Sequence, residues 1–332
     1  MGTVRDARPA RAPRSKDAQL KTLVTGGAGF IGSHLVSRLV AEGRDVVVLD
    51  SFRRGNKLER EVLPSIRVIE GDVRDEATVL SAAAGCQQIF HFAAVLGVDI
   101  VADNPVETME TEVAGLRNVA KAAVINGGAE IIYASTSGVY GKSAIEEAVR
   151  EDFAVSPKSS YAIAKRYNEI YLASLFEEKN LRSVSLRFFN VYGIRQDRRM
   201  VIPRFFSQAL KGEPITVFGS GEQTRDFTYV DDVIEATYRL ASQLRGCEIV
   251  NISNEAEYQI KDLARLIVAV TGSTSTVQFL TPPKSRYDFE VERRYGSSHK
   301  LHEITGFKPH TPLDAGLRRI HERLLVDQTS LA

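Results

Sequence analysis

The residues Lys21-Thr22-Leu23-Val24-Thr25 run directly into Gly26-Gly27-Ala28-Gly29-Phe30-Ile31-Gly32, and Leu35, Val36 and Leu39 follow at helical spacing. An apolar run, a glycine-rich turn and an amphipathic repeat predict strand, turn and helix in immediate succession. The glycines stand as Gly26-x-x-Gly29-x-x-Gly32. In such a turn the first permits a sharp reversal, the second lets backbone approach a pyrophosphate, and the third lets the helix pack close to the strand. The amides at the helix start, Phe30 and Ile31 among them, then face the phosphates. A second apolar run, 45–50, ends in Asp50, 18 residues beyond Gly32. A carboxylate there accepts hydrogen bonds from both hydroxyls of an adenosine ribose and repels a 2′-phosphate, which favours NAD over NADP. Arg53 and Arg54 are the features that favour NADP. Asp72 and Val73 follow a third run and are placed to hold an adenine, by hydrogen bond and by packing. Asp72 is equally placed to cap a helix beginning near 75.

Outward from this turn, strands are expected at 21–25, 45–50, 66–70, 88–92, 130–135 and 182–188, with helices near 30–42, 75–84, 104–126 and 160–179. This alternation predicts an α/β fold, a doubly wound parallel sheet of the Rossmann kind. Val46-Val47-Val48-Leu49 is the continuous apolar run of a strand covered on both faces. In the stretch 104–126, Asn104 can cap, Pro105 suits the first helical position and Gly127-Gly128 stops the helix. Val106, Met109, Val113 and Leu116 recur there at helical spacing and read as a core face, with a subunit contact as the alternative. Past residue 190 the regularity loosens, with helices near 201–211, 229–243, 259–271 and 313–325. The chain therefore divides into a dinucleotide-binding unit, 20–190, and a smaller C-terminal substrate-binding region, 191–328, some segments of which return to the first unit.

Residues 1–19 stand apart: Arg5, Arg8, Arg11, Arg14 and Lys16 alternate with Ala and Pro and carry no apolar period. They read as a disordered basic arm, with a partner contact or a targeting peptide as the alternative. Over 332 residues, 43 Lys and Arg against 42 Asp and Glu leave a net charge of +1, which removes the electrostatic argument for nucleic acid or an anionic membrane. No apolar run is long enough to span a bilayer. Cys86 and Cys247, far apart in sequence, form no metal-ligand cluster and fit a reducing cytoplasm as small buried hydrophobes.

Tyr161-Ala162-Ile163-Ala164-Lys165 sets a phenol and an ammonium four residues apart, on one face of a helix. A cation beside a phenol favours the phenolate, so Lys165 and a nicotinamide would together make Tyr161 a general base. The fifth strand ends in Ser135-Thr136-Ser137-Gly138, where open α/β sheets bind ligands. Thr136 or Ser135 is thus placed to hydrogen-bond the oxygen that Tyr161 deprotonates.

With His91-Phe92-Ala93-Ala94, Arg187-Phe188-Phe189-Asn190-Val191-Tyr192-Gly193 and Gln223-Thr224-Arg225-Asp226-Phe227, these motifs resemble the extended short-chain dehydrogenase/reductase family, in its nucleotide-sugar epimerase/dehydratase branch. The resemblance covers about 20–325. It implies that Thr136, Tyr161 and Lys165 are catalytic, and that Phe92, Ala93, Ala94 and Leu96 line NAD. It further implies that Asn190, Arg225 and Arg286 hold the substrate diphosphate, that Thr216 to Phe218 flank the nucleotide base, and that two copies pair through the helices 104–126 and 160–179. No metal is implied. Two positions depart from the pattern. The residue two after the catalytic Thr is acidic in the sugar 4,6-dehydratases and glucuronate decarboxylases, and here it is Gly138. Glu112 stands where the family usually has Asn. Without an acid at 138, the expected activity is the simpler one, that of an NAD-dependent UDP-sugar 4-epimerase. A dehydratase or decarboxylase is the alternative, and a non-catalytic NAD-binding sensor is the alternative of another class.

Overall fold

The computed structural model describes residues 20–95, 101, 103–141, 147–281 and 292–329. The arm 1–19, Leu96 and Arg286 lie outside the described residues. The first half alternates as expected: β1 (Lys21–Thr25), α1 (Phe30–Ala41), β2 (Asp45–Asp50), β3 (Ile66–Glu70), α2 (Glu76–Ala83), β4 (Gln88–His91), α3 (Pro105–Ile125), β5 (Glu130–Thr136), α4 (Ser160–Lys179) and β6 (Ser183–Phe188). These strands and β10 (Cys247–Ile252) form one seven-stranded sheet, ordered β10-β6-β5-β4-β1-β2-β3. Every pairing in it is parallel. The winding reverses between β1 and β4, which opens a crevice at their carboxyl ends, the place where such sheets bind ligands.

Alternate residues of the apolar runs face opposite layers, as the two-residue strand period requires. Val24, Val46 and Val48 join one core with Leu35, Val36 and Phe90. Leu23, Val47 and Leu49 join the other with Leu116, Val119 and Tyr133. Burial on both sides is why these strands read as unbroken apolar runs.

The second half adds β7 (Asn190–Tyr192), α5 (Val201–Leu210), β8 (Ile215–Phe218), β9 (Thr224–Tyr229), α6 (Val230–Gln243), β11 (Glu257–Gln259), α7 (Ile260–Thr271), β12 (Val277–Leu280), α8 (His299–Thr305) and α9 (Leu313–Thr329). β11-β9-β7 form a three-stranded sheet and β12-β8 a two-stranded one. β10 pairs with β6 residue for residue, from Cys247 opposite Ser183 to Ile252 opposite Phe188. α6 lies against α1, joined by Arg38 to Glu235 at 2.7 Å.

One expectation is corrected. The stripe Val106, Met109, Val113 and Leu116 is not the core face of α3: Val106 is 70% exposed, and Met109 and Val113 are half-buried. The buried face is Thr108, Glu112, Leu116, Val119 and Ala123, so it carries a carboxylate that apolar periodicity cannot register.

Candidate active site

The glycine turn is a close-fitting cradle. Gly26 has φ +69°, and a Cβ there would sit 2.6 Å from the Ala93 amide nitrogen. A Cβ on Gly32 would fall 2.1 Å from the Gly26 carbonyl oxygen, which fixes how tightly α1 abuts the turn. α1 starts at Phe30 with no side-chain cap from Gly29. Its first-turn amides therefore have no capping side chain, and such amides are the donor set a pyrophosphate needs. The Asp50 carboxylate accepts from the Ala28 amide at 2.9 Å and the Phe52 amide at 2.9 Å, which locks the turn to the end of β2. Arg53 is paired with Glu107 and Arg54 with Asp197, so both cations that favoured NADP are answered by carboxylates.

Asp72 is gripped by the Arg74 guanidinium, whose hydrogen bonds hold its carboxyl below the usual range against the opposing effect of burial. It does not cap α2; Asp75 does, accepting from the Ala77 amide at 3.1 Å. Val73 is buried against Gly115 of α3, and the Asn118 amide donates to its carbonyl at 2.9 Å. Phe92 is buried edge-on to Phe90 and Phe188, the Ala93 amide donates to Thr25 Oγ1 at 3.3 Å, and Ala94 is half-buried beside them. The cradle, the uncapped amides and the acidic end of β2 fit an NAD molecule lying across β1 and β4.

The reacting end is built on β5 and α4. Ser159 caps α4, accepting from the Ala162 amide at 3.2 Å, and so fixes the first turn that carries Tyr161. Lys165 is fully buried, its Nζ 5.3 Å from the centre of the Tyr161 ring and 4.8 Å from that of Tyr133. The two strand-end hydroxyls are not equivalent. Ser135 donates inward to Glu169 at 2.7 Å, whereas half-buried Thr136 accepts only from the Gly138 amide, at 3.1 Å. Glu169 is in turn held by a two-pronged Arg187 guanidinium at 2.9 and 2.8 Å, and Arg187 also donates to Tyr140 at 2.8 Å. This buried network bolts α4 to β5 and β6 just below the site.

The ammonium expected to favour the Tyr161 phenolate has an anion beside it. Lys165 Nζ lies 2.9 Å from the carboxylate of Glu112, itself fully buried, so its charge is answered from α3. Burial pushes the Tyr161 phenol up, and the Glu112 charge pushes the same way.

At the substrate end, half-buried Asn190 opens β7, which pairs with Phe227 of β9. Arg225, on β9, donates to its neighbouring Thr224 carbonyl at 2.7 Å. It does not pair locally with Asp226, whose buried carboxylate accepts from the amides of Asn254, Glu255 and Gly296. Thr216 exchanges hydrogen bonds with Gln208, and the Arg204 guanidinium lies 5.1 Å from the Phe218 ring. The sequence reading missed Arg294. This side chain donates to the Gly141 carbonyl at 3.0 Å, directly after the turn that follows Thr136. Burial and the charge of Arg225 push its guanidinium down to about 10. Two guanidiniums that repel one another make a site suited to an anion. The pair Arg293-Arg294 was the only available signal, and Arg293 is spent on Glu257 at 2.7 Å.

Among the described residues no group of His, Cys, Asp or Glu is arranged to hold a metal ion, and no helix is long and apolar enough to cross a membrane. The sequence is 36% identical over 309 residues to the UDP-N-acetyl-alpha-D-glucosaminuronate decarboxylase of Bacillus cytotoxicus, covering 90% of this chain and 95% of that one. The UDP-glucose 4-epimerase of Thermotoga maritima, solved with UDP-glucose, superposes with a TM-score of 0.87 at 31% identity, covering 94% of this chain and all of that one. The UDP-glucose 4-epimerase of Thermus thermophilus, solved with NAD, gives 0.83 at 32% identity, over 92% of this chain and 99% of that one. A family model matches residues 22–253, and with it the chain belongs to the NAD dependent epimerase/dehydratase family.

Proposed function

We propose that this chain is a nucleotide-sugar 4-epimerase, with a UDP-sugar as substrate. Bound NAD supplies the acceptor for a hydride from C4 and later its return. Tyr161 takes the proton of the C4 hydroxyl, and Thr136 Oγ1 hydrogen-bonds the same oxygen. Lys165 sits beneath both rings and reaches the nicotinamide ribose. Arg225, Arg294 and Asn190 hold the diphosphate, with Arg286 as the fourth member of the set. The sugar, held only through its linkage to that fixed diphosphate, would be free to turn, and Tyr161 would return the proton to the C4 oxygen. A tightly held nucleotide with a loosely held sugar is what this requires.

The observation that carries the reading is Gly138. Dehydration needs an acid or base to remove water across C5 and C6, and position 138 supplies none. A Cβ there would already stand 3.3 Å from Thr136 Oγ1 and 3.5 Å from the Ala162 Cβ. The Bacillus cytotoxicus relative favours a second reading, decarboxylation of a sugar acid. A 4-keto uronate is a β-keto acid and loses carbon dioxide without a carboxylate at 138. Product NMR with UDP-glucose and UDP-glucuronate decides between them: an inverted C4 centre supports the epimerase, and a pentose with release of carbon dioxide replaces it. Tyr161→Phe should retain NAD and lose turnover by several orders of magnitude; near-normal turnover rejects Tyr161 as the base, whereas wild-type protein that binds NAD and turns over none of a panel of nucleotide sugars leaves an NAD-binding sensor.

We also propose a homodimer through α3 and α4, where Val106, Ile125, Ile163, Tyr167 and Ile170 are exposed. Ile163→Asp should halve the mass seen by light scattering; a wild-type protein of monomer mass refutes the pairing. A reducing cytoplasm is the compartment we propose, supported by Cys86 and Cys247, which are both free thiols; an extracellular pool of the tagged protein would contradict this.

A further inference from the structure

The buried pair of Glu112 and Lys165 is unusual in cost. Two ions withdrawn from water lose several kcal/mol of hydration each, and a chain seeking only stability gains as much from apolar side chains. Glu112 is also tied down at its backbone. The Asn168 amide donates to its backbone carbonyl at 3.0 Å and to the Tyr133 hydroxyl at 2.8 Å. Both carboxylate oxygens are buried with no hydrogen-bond partner among the described residues, and the Lys165 ammonium, 2.9 Å away, is the charge set against them. Helix α4 therefore holds the backbone of the acid and faces its carboxylate with a lysine.

The charged and titratable groups around this point are few. From α4 come Lys165 and Tyr161, from α3 Glu112, from β5 Tyr133 and from β4 His91. His91 is pushed down to about 3 by burial and by Lys165, so it is neutral. Glu169, one turn further along α4, is matched by Arg187 and Arg166. Lys165 is thus the one cation set against the Tyr161 ring among these groups, and Glu112 is the anion set against Lys165. Coulomb attraction at this separation in a dry interior is large, and a third group nearby sees a dipole rather than a charge.

We infer that Glu112 is a positioning residue, which pins Lys165 beneath the Tyr161 ring and offsets its charge, so that acidity of the phenol is conferred by the oxidised nicotinamide and not by the lysine. This rests on the reading of Tyr161 as the base. Its consequence is a base that becomes available only when oxidised cofactor is in place.

The test is ultraviolet titration of tyrosinate, taken as wild type minus Tyr161→Phe, on protein stripped of NAD and again with NAD bound. The stripped wild-type phenol should titrate above the free value of roughly 10, and NAD should bring it down. Glu112→Gln should lower the stripped value by about one pH unit or more, tenfold more phenolate at a given pH. The acid limb of its turnover profile should move by the same amount. A purely structural Glu112 would lower turnover evenly and leave both titrations in place. A stripped wild-type phenol titrating below roughly 10, or a Glu112→Gln value equal to wild type, overturns the inference. Should Glu112→Gln not fold, Glu112→Asn and the wild-type titration carry the test. Full turnover in Tyr161→Phe would instead sink the assignment of the base.

Discussion

Replacing Arg187 by Met should be among the most damaging single changes outside the site. Arg187 is 1% exposed and gives Glu169 two parallel hydrogen bonds at 2.9 and 2.8 Å. Methionine fills the volume and supplies none. Glu169 would keep Ser135 at 2.7 Å and Arg166 at 2.9 Å, but the Arg166 side chain is 30% exposed and its charge is shared with water. Breaking a buried pair from one side costs about 3–5 kcal/mol, because the remaining ion is left uncompensated. At this chain length that corresponds to a fall in melting temperature of about 4–7 °C. Glu169→Gln together with Arg187→Met should cost less than the two singles summed, the signature of a coupled pair. The assay is urea unfolding of wild type, both singles and the double, followed by circular dichroism. Acid dependence adds a second signature. Burial alone would raise the Glu169 carboxyl, yet the bonds from Arg187, then Ser135 and Arg166, hold it below its ordinary 4.5. A depressed folded value means that this contribution is present above pH 4.5 and is lost as pH falls through the folded value. Arg187→Met should flatten that limb. A loss below about 1 kcal/mol, or strict additivity in the cycle, would refute the reasoning.

Gly32→Ala should fold and purify without bound dinucleotide, because its Cβ would lie 2.1 Å from the Gly26 carbonyl and pry the turn open; co-purified NAD at the wild-type ratio contradicts this. Arg294→Ala should raise KM for a nucleotide sugar by about 10–100-fold, the loss of one charge-assisted bond. Its kcat should hold nearly constant, and the reverse pattern would move Arg294 from gripping the diphosphate to the chemical step.

β1, β2, β4 and β5 were legible because each holds an apolar stretch buried on both sides, the edge strand β3 and the mixed run of β6 because they fall in the same alternation, and the glycine turn because its spacing answers one steric problem. The strands β7, β8, β11 and β12 span three or four residues and carry no period long enough to read; they exist because partners distant in sequence complete their hydrogen bonds. β10 hid for another reason, since Glu248 and Asn251 interrupt its apolar run. At the site, Tyr161 and Lys165 are local and were visible as a pair. Glu112 lies 53 residues before Lys165, and only the packing of α3 on α4 reveals which ion it meets. Arg294 was invisible because it lies in an irregular segment and the role proposed for it depends on Arg225, far back in the sequence on β9. Ser135 and Thr136 were interchangeable in sequence; the strand pleat sends the first hydroxyl inward to Glu169.

The place of β10 also sets a schedule for biosynthesis. Its first residue follows its partner on β6 by 64 residues. At ribosomal rates of about 5–20 residues per second, the flank of β6 waits roughly 3–13 s for its neighbour. Throughout that interval a row of unsatisfied amides and carbonyls along Ser183–Phe188 offers itself to any passing extended segment. A nascent or truncated polypeptide that stops short of Cys247 is therefore a client for chaperones and a seed for aggregation, whatever the soundness of its cofactor cradle.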